Sequence, residues 1–471
     1  MTSERIAKLT GIYAQLFREA RAWAGRLRYE SARAADLRRQ AIEINHTYYF
    51  ENVPAYRRMA GEEGVGPQAS LGQIKKHMLM SDGIFKSYDQ SWLDASDFRK
   101  MNAWLSEIYH QRVVVDVGEV RSIDAWIDCL DGAGIKLVYS SGTSGTLSFV
   151  PRDTATRDLF RVASTNYLIP QLMHRKAGTP WQRFLVWLAS QTLSPDTFGS
   201  MRQMAGLSGY DAFFLDFSSG KTGNQTFEQD LAPSFRKHYC LYDTNLSPSI
   251  TRLITRRAKT DAEAEQVRQF QELVVGRKTE NYLRLIGQIR RSTAEGQKIF
   301  MFGTTLQYKE LCELMAERHE TLPLRKGSLL LFGGGWKLFT GKPITREQMT
   351  AMMSESFQLP AEMIMEGYSM SEMNAFTLRC EYGRFHIPPV IEPLILDEAL
   401  NLMQGDDLHG SFAFLDPLAL AYPGFIISGD EVHLVDGDCE CGLTGPAVTQ
   451  IGRARAREIK GCGGIMASVA A

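Results

Sequence analysis

No apolar run in these 471 residues approaches the ~20 needed to cross a bilayer as a helix. Neither sign of charge is in excess. Lys and Arg total 53 against 54 Asp and Glu, for a net charge of −1, which removes any electrostatic argument for nucleic acid or an anionic membrane as partner. There is no internal repeat and no low-complexity linker. The mildly basic first forty residues contain Glu4, Glu19, Glu30 and Asp36, unlike a transit peptide, and no signal-peptide pattern is visible, so the expected location is the cytoplasm. Cysteine is sparse and odd in number: seven, of which Cys129, Cys240 and Cys312 stand alone while Cys380, Cys439, Cys441 and Cys462 gather late. In a reducing compartment such a set is no disulfide framework and reads as metal or thiol chemistry. What remains, 44% hydrophobic and 23% charged, is ordinary globular composition long enough for two or three subdomains.

Residues 4 to about 45 read as one long amphipathic helix. Ile6, Leu9, Tyr13, Leu16, Ala20, Trp23 and Leu27 recur at three- and four-residue steps, as a packing or dimerisation surface would. Residues 50–130 read as mostly helical, with a loop at Gly61, Gly64, Gly66 and Pro67. From about 134 short apolar runs alternate with helical stretches, notably 259–294. Ile135–Tyr139, Phe184–Leu188, Ala212–Phe217, Ile299–Phe302 and Leu329–Phe332 are the expected strands of an α/β architecture. After 385, pieces such as Phe425–Ile427 and Glu431–Val435, separated by turn residues, suggest a small β-rich subdomain. The expected organisation is therefore a helical extension over 1–130, an α/β core that binds nucleotide and acid over 131–384, and a β-rich part over 385–471.

The first chemical signal is Tyr139-Ser140-Ser141-Gly142-Thr143-Ser144-Gly145-Thr146, which follows an expected strand. Glycines let successive N–H groups converge on one anion, and the interleaved hydroxyls add donors for phosphate oxygens. No Gly-Lys-Ser/Thr follows, so this is not a Walker loop, nor is it G-x-G-x-x-G. Flexible surface turns share the composition. The order of the residues is more specific, and it resembles the phosphate loop of the adenylate-forming superfamily of acyl-CoA ligases, luciferases and adenylation domains. Three further motifs appear in the order that family requires. Glu366-Gly367-Tyr368-Ser369-Met370-Ser371-Glu372 resembles its aromatic–small–x–Ser/Thr–Glu motif, Ser428-Gly429-Asp430 its Gly-Asp step, and Ile451-Gly452-Arg453 its Gly-Arg. The resemblance implies that Ser140–Gly145 cradle phosphates, with Thr143 and Ser371 acting directly on them. It implies that Tyr368 stacks on adenine, that Glu372 holds Mg²⁺, and that Asp430 and Arg453 hold the ribose. A π-face for a base and a hard oxygen for a hard cation make chemical sense of those roles.

Gly333-Gly334-Gly335-Trp336-Lys337, Phe302-Gly303-Thr304-Thr305 and Lys460-Gly461-Cys462 resemble the acyl-protein synthetases, a branch that often carries Ser where others place Lys after the phosphate loop; here that residue is Ser148. By this resemblance Gly333, Gly334 and Gly335 would line the adenine and acyl pocket, although a simple strand-to-helix turn would look the same. The resemblance covers about residues 130–465. The C-terminal domain of ~100 residues that supplies a catalytic lysine in acyl-CoA ligases is expected to be missing, and Ala454-Arg455-Ala456-Arg457 stands where the hinge acid belongs. In acyl-protein synthetases a cysteine near the end receives the acyl group, and Cys462 matches it. Lys460 beside it would favour thiolate, although an inert exposed thiol is equally compatible with the sequence.

Cys380-x5-His386 and Cys439-x-Cys441-Gly442 together offer the four ligands that tetrahedral Zn²⁺ prefers. The layout resembles that of some phenylacetate-CoA ligases, and a full protein shell makes the expected zinc structural. The expected fold is thus that of the large domain of an adenylate-forming enzyme, α/β subdomains plus a distorted β-barrel, with an extra helical N-terminus. The expected activity is ATP- and Mg²⁺-dependent conversion of a small carboxylic acid to acyl-adenylate and pyrophosphate, followed by transfer to Cys462 or a partner thiol. A biosynthetic adenylase that serves an amine, carrier protein or reductase, and a non-enzymatic nucleotide binder, are the alternatives. A homodimer is compatible with the first helix. The sequence does not name the acid, and the aromatic-rich stretch 181–217 reads equally as pocket or core.

Overall fold

Uninterrupted apolar runs and helix-capping residues set the elements of this chain in a computed structural model that describes residues 3–26, 29–140, 146–176, 207–256, 258–334 and 343–453. Two compact units result. One is built from residues 1–140, 146–170 and 369–471, the other from 141–145 and 171–368.

The second unit contains a parallel sheet. Its strands lie in the order Lys237–Leu246, Tyr210–Gly220, Lys298–Thr304, Leu329–Gly333 and Ile364–Tyr368, every neighbouring pair parallel. Leu329, Leu330, Leu331 and Phe332 are all buried, as a strand covered on both faces demands. Leu285 and Ile289 of the helix Lys278–Ala294, Leu311 and Met315 of Thr305–Glu317, and Met353 and Phe357 of Arg346–Phe357 pack with Phe213, Met301 and Leu330 from the strands. Thr222 with Gln225, Thr304 with Gln307 and Thr345 with Gln348 each form a reciprocal capping box that starts a helix. The helical stretch expected over 259–294 is broken. Asp261–Gln271 and Lys278–Ala294 are separated by a π turn at Glu272–Gly276, and the first helix buries no residue, so no core face keeps the two in one register. The strand expected at Phe184–Leu188 lies outside the described residues.

In the first unit, Lys136–Ser140 and Ser148–Arg152 form an antiparallel hairpin in which Ser140 faces Ser148. The strand expected at Ile135–Tyr139 is thus present, but in a hairpin rather than the parallel sheet. A larger, mainly antiparallel sheet joins Glu392–Leu396, Asp407–Leu415, Phe425–Val435 and Ala447–Arg453, with Phe385–His386 at one edge. The ladder shifts register at Ser411/Ala413 and at His433/Leu434. Phe425–Ile427 and Glu431–Val435, expected as separate pieces, form one strand. Ser428-Gly429-Asp430 continues it rather than turning, because the ladder to the next strand holds across Asp430 and Arg453.

The expected single N-terminal helix is two, Ser3–Ala24 and Ser31–Asn52. The break follows Gly25, at Arg26, which adopts φ +56° and donates from Nε to the carbonyl of Cys441 at 2.7 Å. Leu9, Ile12, Tyr13, Leu16, Ala20 and Trp23 are buried within the chain. The Tyr13 hydroxyl and the Asn45 amide both donate to the carbonyl of Pro417 at 2.6 Å, and Trp23 Nε1 donates to that of Thr444 at 2.8 Å. Arg38 and Lys75 both pair with Glu392. Burial alone would raise the Glu392 carboxyl, but the two cations overcome it and hold it below the ordinary carboxylate range. The helical N-terminus is therefore packed with the antiparallel sheet. Among the described residues no helix is long and apolar enough to cross a membrane.

Candidate functional site

The parallel-sheet unit presents its motifs along one edge. In parallel strands the carboxyl ends share one side, where ligands of open α/β sheets bind. Register sets Thr304 beside Gly333 and Gly333 beside Gly367, so Phe302–Thr305, Gly333–Gly334 and Glu366–Tyr368 lie in a row there. A Cβ on Gly333 would sit 2.9 Å from the carbonyl oxygen of Gly367, so only glycine allows these backbones to approach as they do. Gly334 follows at φ +81°, and its carbonyl accepts from Thr305 Oγ1 at 2.7 Å. Tyr368 closes the last strand and is 9% exposed. Arg346, at the start of its helix, pairs with Glu366 at 2.9 Å.

Two carboxyls that sequence reasoning passed over lie in the same unit. Asp216 interrupts the apolar strand run Phe213-Phe214-Leu215-Asp216-Phe217, and its Oδ1 accepts from the Phe217 amide at 2.7 Å and from Gln225 Nε2 at 3.4 Å. Glu228 is 4% exposed, and its Oε1 has no hydrogen-bond partner among the described residues. Burial pushes Asp216 up to about 6 and raises Glu228 well above the carboxylate range, where the Asp216 charge adds to the effect. An acid within an apolar strand was the available signal.

These shifts fix a sign. The folded state holds the Asp216 proton more tightly than the unfolded chain does. The resulting stabilisation is full below the ordinary carboxylate pKa and is lost as pH rises towards 6. Asp216→Asn is therefore expected to be more stable than the parent at pH 8, by roughly 2 kcal/mol, and indistinguishable near pH 4. Urea midpoints measured across pH 4–8 check it, and a constant offset would contradict it.

In the other unit the hairpin strands Lys136–Ser140 and Ser148–Arg152 flank the glycine-rich motif in sequence. Ser148 is buried at the hairpin's end opposite Ser140. Arg152, 5% exposed, donates from Nη2 to the carbonyl of Ser371 at 3.0 Å, and the Tyr422 hydroxyl donates to that of Glu372 at 3.1 Å. Asn374 gives its backbone N–H and its side-chain Nδ2 to Asp416 Oδ2 at 2.6 and 2.9 Å, and Leu418 N gives its proton to Asp416 Oδ1 at 2.8 Å. Burial raises the Asp416 carboxyl, and these donors only partly counter it. A buried polar network thus fixes the backbone that carries Ser371 and Glu372, while both side chains remain half-buried. Arg152 and Asp416 were not singled out from the sequence, because their roles depend on partners far away along the chain.

Asp430 and Arg453 face each other across neighbouring antiparallel strands, with Arg453 Nη1 3.1 Å from Asp430 Oδ1. Ser428 Oγ donates to the carbonyl of Phe412 at 2.8 Å and accepts from the Asp430 amide at 3.2 Å. A Cβ on Gly429 would stand 3.4 Å from Arg453 Nη1 and 3.5 Å from Asp82 Oδ2.

Cys380, His386, Cys439 and Cys441 are all buried, with ligand atoms within 4.8 Å of one another. Two tight turns deliver the sulfurs. Gly383 N donates to the carbonyl of Cys380 and Gly442 N to that of Cys439, and both glycines are at positive φ, +82° and +85°. The Cys380–Cys439 sulfurs are 3.9 Å apart and Cys441 Sγ is 3.3 Å from His386 Nε2. A tetrahedral zinc with bonds of about 2.3 Å to sulfur and about 2.0 Å to nitrogen needs ligand separations of roughly 3.5–3.8 Å. The four residues fit that ion. The hydrogen bond from Cys441, with His386 alongside, lowers the Cys380 thiol, and the same pairing raises Cys441. His386 Nδ1 is buried and has no hydrogen-bond partner among the described residues. Ser141, Gly142, Thr143, Ser144, Gly145, Gly335 and Cys462 lie outside the described residues.

Residues 275–470 match the family model of the acyl-protein synthetases, described as "Acyl-protein synthetase, LuxE". Two curated relatives are named long-chain-fatty-acid–luciferin-component ligase. The Vibrio harveyi protein is 24% identical over 178 residues, 38% of this chain and 47% of that protein. The Aliivibrio fischeri protein is 27% identical over 164 residues, 34% of this chain and 42% of that protein. The matches span less than half the length of those relatives. Among solved structures, 2-hydroxyisobutyryl-CoA ligase in the postadenylation state with 2-HIB-AMP has a TM-score of 0.50 at 14% identity, covering 89% of this chain and 67% of that one. The same enzyme in the thioesterification state has a TM-score of 0.50 at 15% identity, covering 91% and 74%. The fold is that of the adenylate-forming enzymes, and the expected resemblance to the acyl-protein synthetases holds over the matched residues.

Proposed function

We propose that this chain, whose residues 275–470 match the acyl-protein synthetases, is an AMP-forming acid ligase. A carboxylate oxygen bonds to the α-phosphorus of ATP, the bond from that phosphorus to its bridging oxygen breaks, and pyrophosphate leaves with the electron pair. A thiolate then adds to the acyl carbon of the resulting mixed anhydride and AMP departs. Positioning and charge neutralisation supply the rate.

The observation that carries this reading is the row Thr304, Gly333, Gly367 at the carboxyl edge of the parallel sheet, where three separate stretches meet without side chains in the way. In that unit Ser141–Gly145 would receive phosphates, and Gly333–Gly335 and Tyr368 the adenine. In the antiparallel-sheet unit Asp430 would accept the ribose hydroxyls with Arg453 beside it. Ser371 would donate to phosphate and Glu372 would hold Mg²⁺, on a backbone fixed through Arg152, Asn374 and Tyr422. Zinc at Cys380, His386, Cys439 and Cys441 is structural in this reading, since all four positions are protein ligands.

The curated relatives are named for long-chain fatty acids, which makes that class the first to test. The expected result is ATP–pyrophosphate exchange that depends on added fatty acid. With radiolabelled acid, label should survive denaturation of the protein and be lost in Cys462→Ser. Exchange without retained label would assign the acyl group to a separate acceptor. Failure of exchange with fatty, aromatic and amino acids alike would refute the adenylation reading.

A further inference from the structure

A second group of metal-type side chains lies on the antiparallel sheet, separate from the four buried ligands. Asp407 and His409 alternate on the strand Asp407–Leu415 and therefore share one face; His433 lies directly across from His409 on the neighbouring strand. Ligand atoms of all three are within 4.8 Å of one another. The two imidazoles stack with ring centres 3.8 Å apart and planes 11° from parallel.

The surroundings of His433 select what stands beside it. Its Nδ1 is 2.8 Å from Thr449 Oγ1, and the Thr449 hydroxyl is 3.4 Å from the carbonyl of His433. Thr449 is brought there by an irregular step in the ladder, in which Gln450 pairs with His433 and Val448 with Leu434, leaving Thr449 between them. Two tautomers fit these contacts: Nε2–H with Thr449 Oγ1 donating to Nδ1, or Nδ1–H donating to Thr449 Oγ1 with the lone pair at Nε2, and the second is the one that can ligate an ion through Nε2. That nitrogen is 2.7 Å from Asp407 Oδ1. In the first tautomer a proton bridges Nε2 and Asp407 Oδ1; in the second an ion takes that place. His409, stacked on His433, offers a further nitrogen donor.

We propose that Asp407, His409 and His433 bind a divalent transition-metal ion of the imidazole-preferring class, Zn²⁺, Ni²⁺ or Cu²⁺, with Thr449 as the positioning residue that orients His433. Two imidazoles and one carboxylate leave further coordination positions to water, and that donor set favours these ions over Mg²⁺ or Ca²⁺. Asp407 and His409 are exposed, and binding needs Asp407 to move by a few tenths of an ångström and the His409 ring to turn out of the parallel stack so that the in-plane lone pairs converge on one ion. The His433 N–H bond to Thr449 is the outer support that metal-bound histidines commonly use.

The test uses the full chain with its cysteine-rich site saturated with zinc beforehand, titrated calorimetrically with Ni²⁺. One additional equivalent is expected. His409→Gln should abolish it within the range measured. Thr449→Val should weaken it about tenfold, with unchanged stoichiometry. The unfolding temperature of His409→Gln, measured without Ni²⁺, should match the parent, because that side chain is exposed, and that of half-buried Thr449→Val should fall by no more than a few degrees. Absence of the extra equivalent in the parent would overturn the proposal, as would its persistence in His409→Gln. A single protonation of His433 in place of metal binding would appear as the former result.

Discussion

Asp430→Asn is expected to raise the KM for ATP about 100-fold in pyrophosphate exchange while changing kcat severalfold at most. In the proposed role the Asp430 carboxylate accepts both ribose hydroxyls, and each charge-assisted bond is worth roughly 1.5–3 kcal/mol. A ribose contact lies away from the reacting phosphorus, so it strengthens ground state and transition state alike and its loss appears in KM. Folding should be almost unaffected. The pair with Arg453 is half exposed on the arginine side, and such pairs contribute at most about 1 kcal/mol. Steady-state exchange kinetics and a melting curve on the same preparation decide it. An equal fall in kcat with KM unchanged would place Asp430 at the chemistry instead of the ribose.

The other large effect concerns the four buried ligands. Stripping metal with a chelator, or changing Cys439 to Ser, is expected to lower the unfolding temperature by about 10 °C, and readdition of zinc should restore the stripped parent but not the variant. Structural zinc couples its binding free energy to folding, so losing one ligand of four costs several kcal/mol, and one kcal/mol corresponds to about 2–4 °C in a domain of 150–250 residues. The parent should carry close to one zinc per chain by elemental analysis. The loss should extend to the helical N-terminus, because Arg26 donates to the carbonyl of Cys441 and its side chain lies over Gly442. A metal-free protein with an unaltered melting curve would rule out a structural ion.

What the sequence made legible follows from how local each signal is. Leu329–Phe332 could be read as a buried strand because four consecutive apolar residues need no partner to identify them. The cysteines and His386 were legible as ligands because their chemistry is scarce and specific, although only the fold brings Cys380 within reach of Cys439. By contrast, the helix break at Arg26 depends on a bond to a residue more than four hundred positions later, and periodicity carries no trace of it. Ser428-Gly429-Asp430 has turn composition, and the neighbouring strand overrides it. Arg152 and Asp416 look like ordinary surface charges until their buried partners are seen. The motif residues of the glycine-rich loop, Gly335 and Cys462 lie where only the resemblance speaks.

The arrangement of the two units along the chain has a consequence for synthesis. The parallel sheet draws its strands from an unbroken stretch, residues 210–368, and can begin to close once the ribosome has released that stretch. The helices before residue 53 must wait, because residues they grip, among them Pro417, Cys441 and Thr444, lie more than 400 positions later in the chain. Until then Leu9, Leu16 and Trp23, which the folded chain buries, remain uncovered on a nascent polypeptide, where a chaperone could shield them.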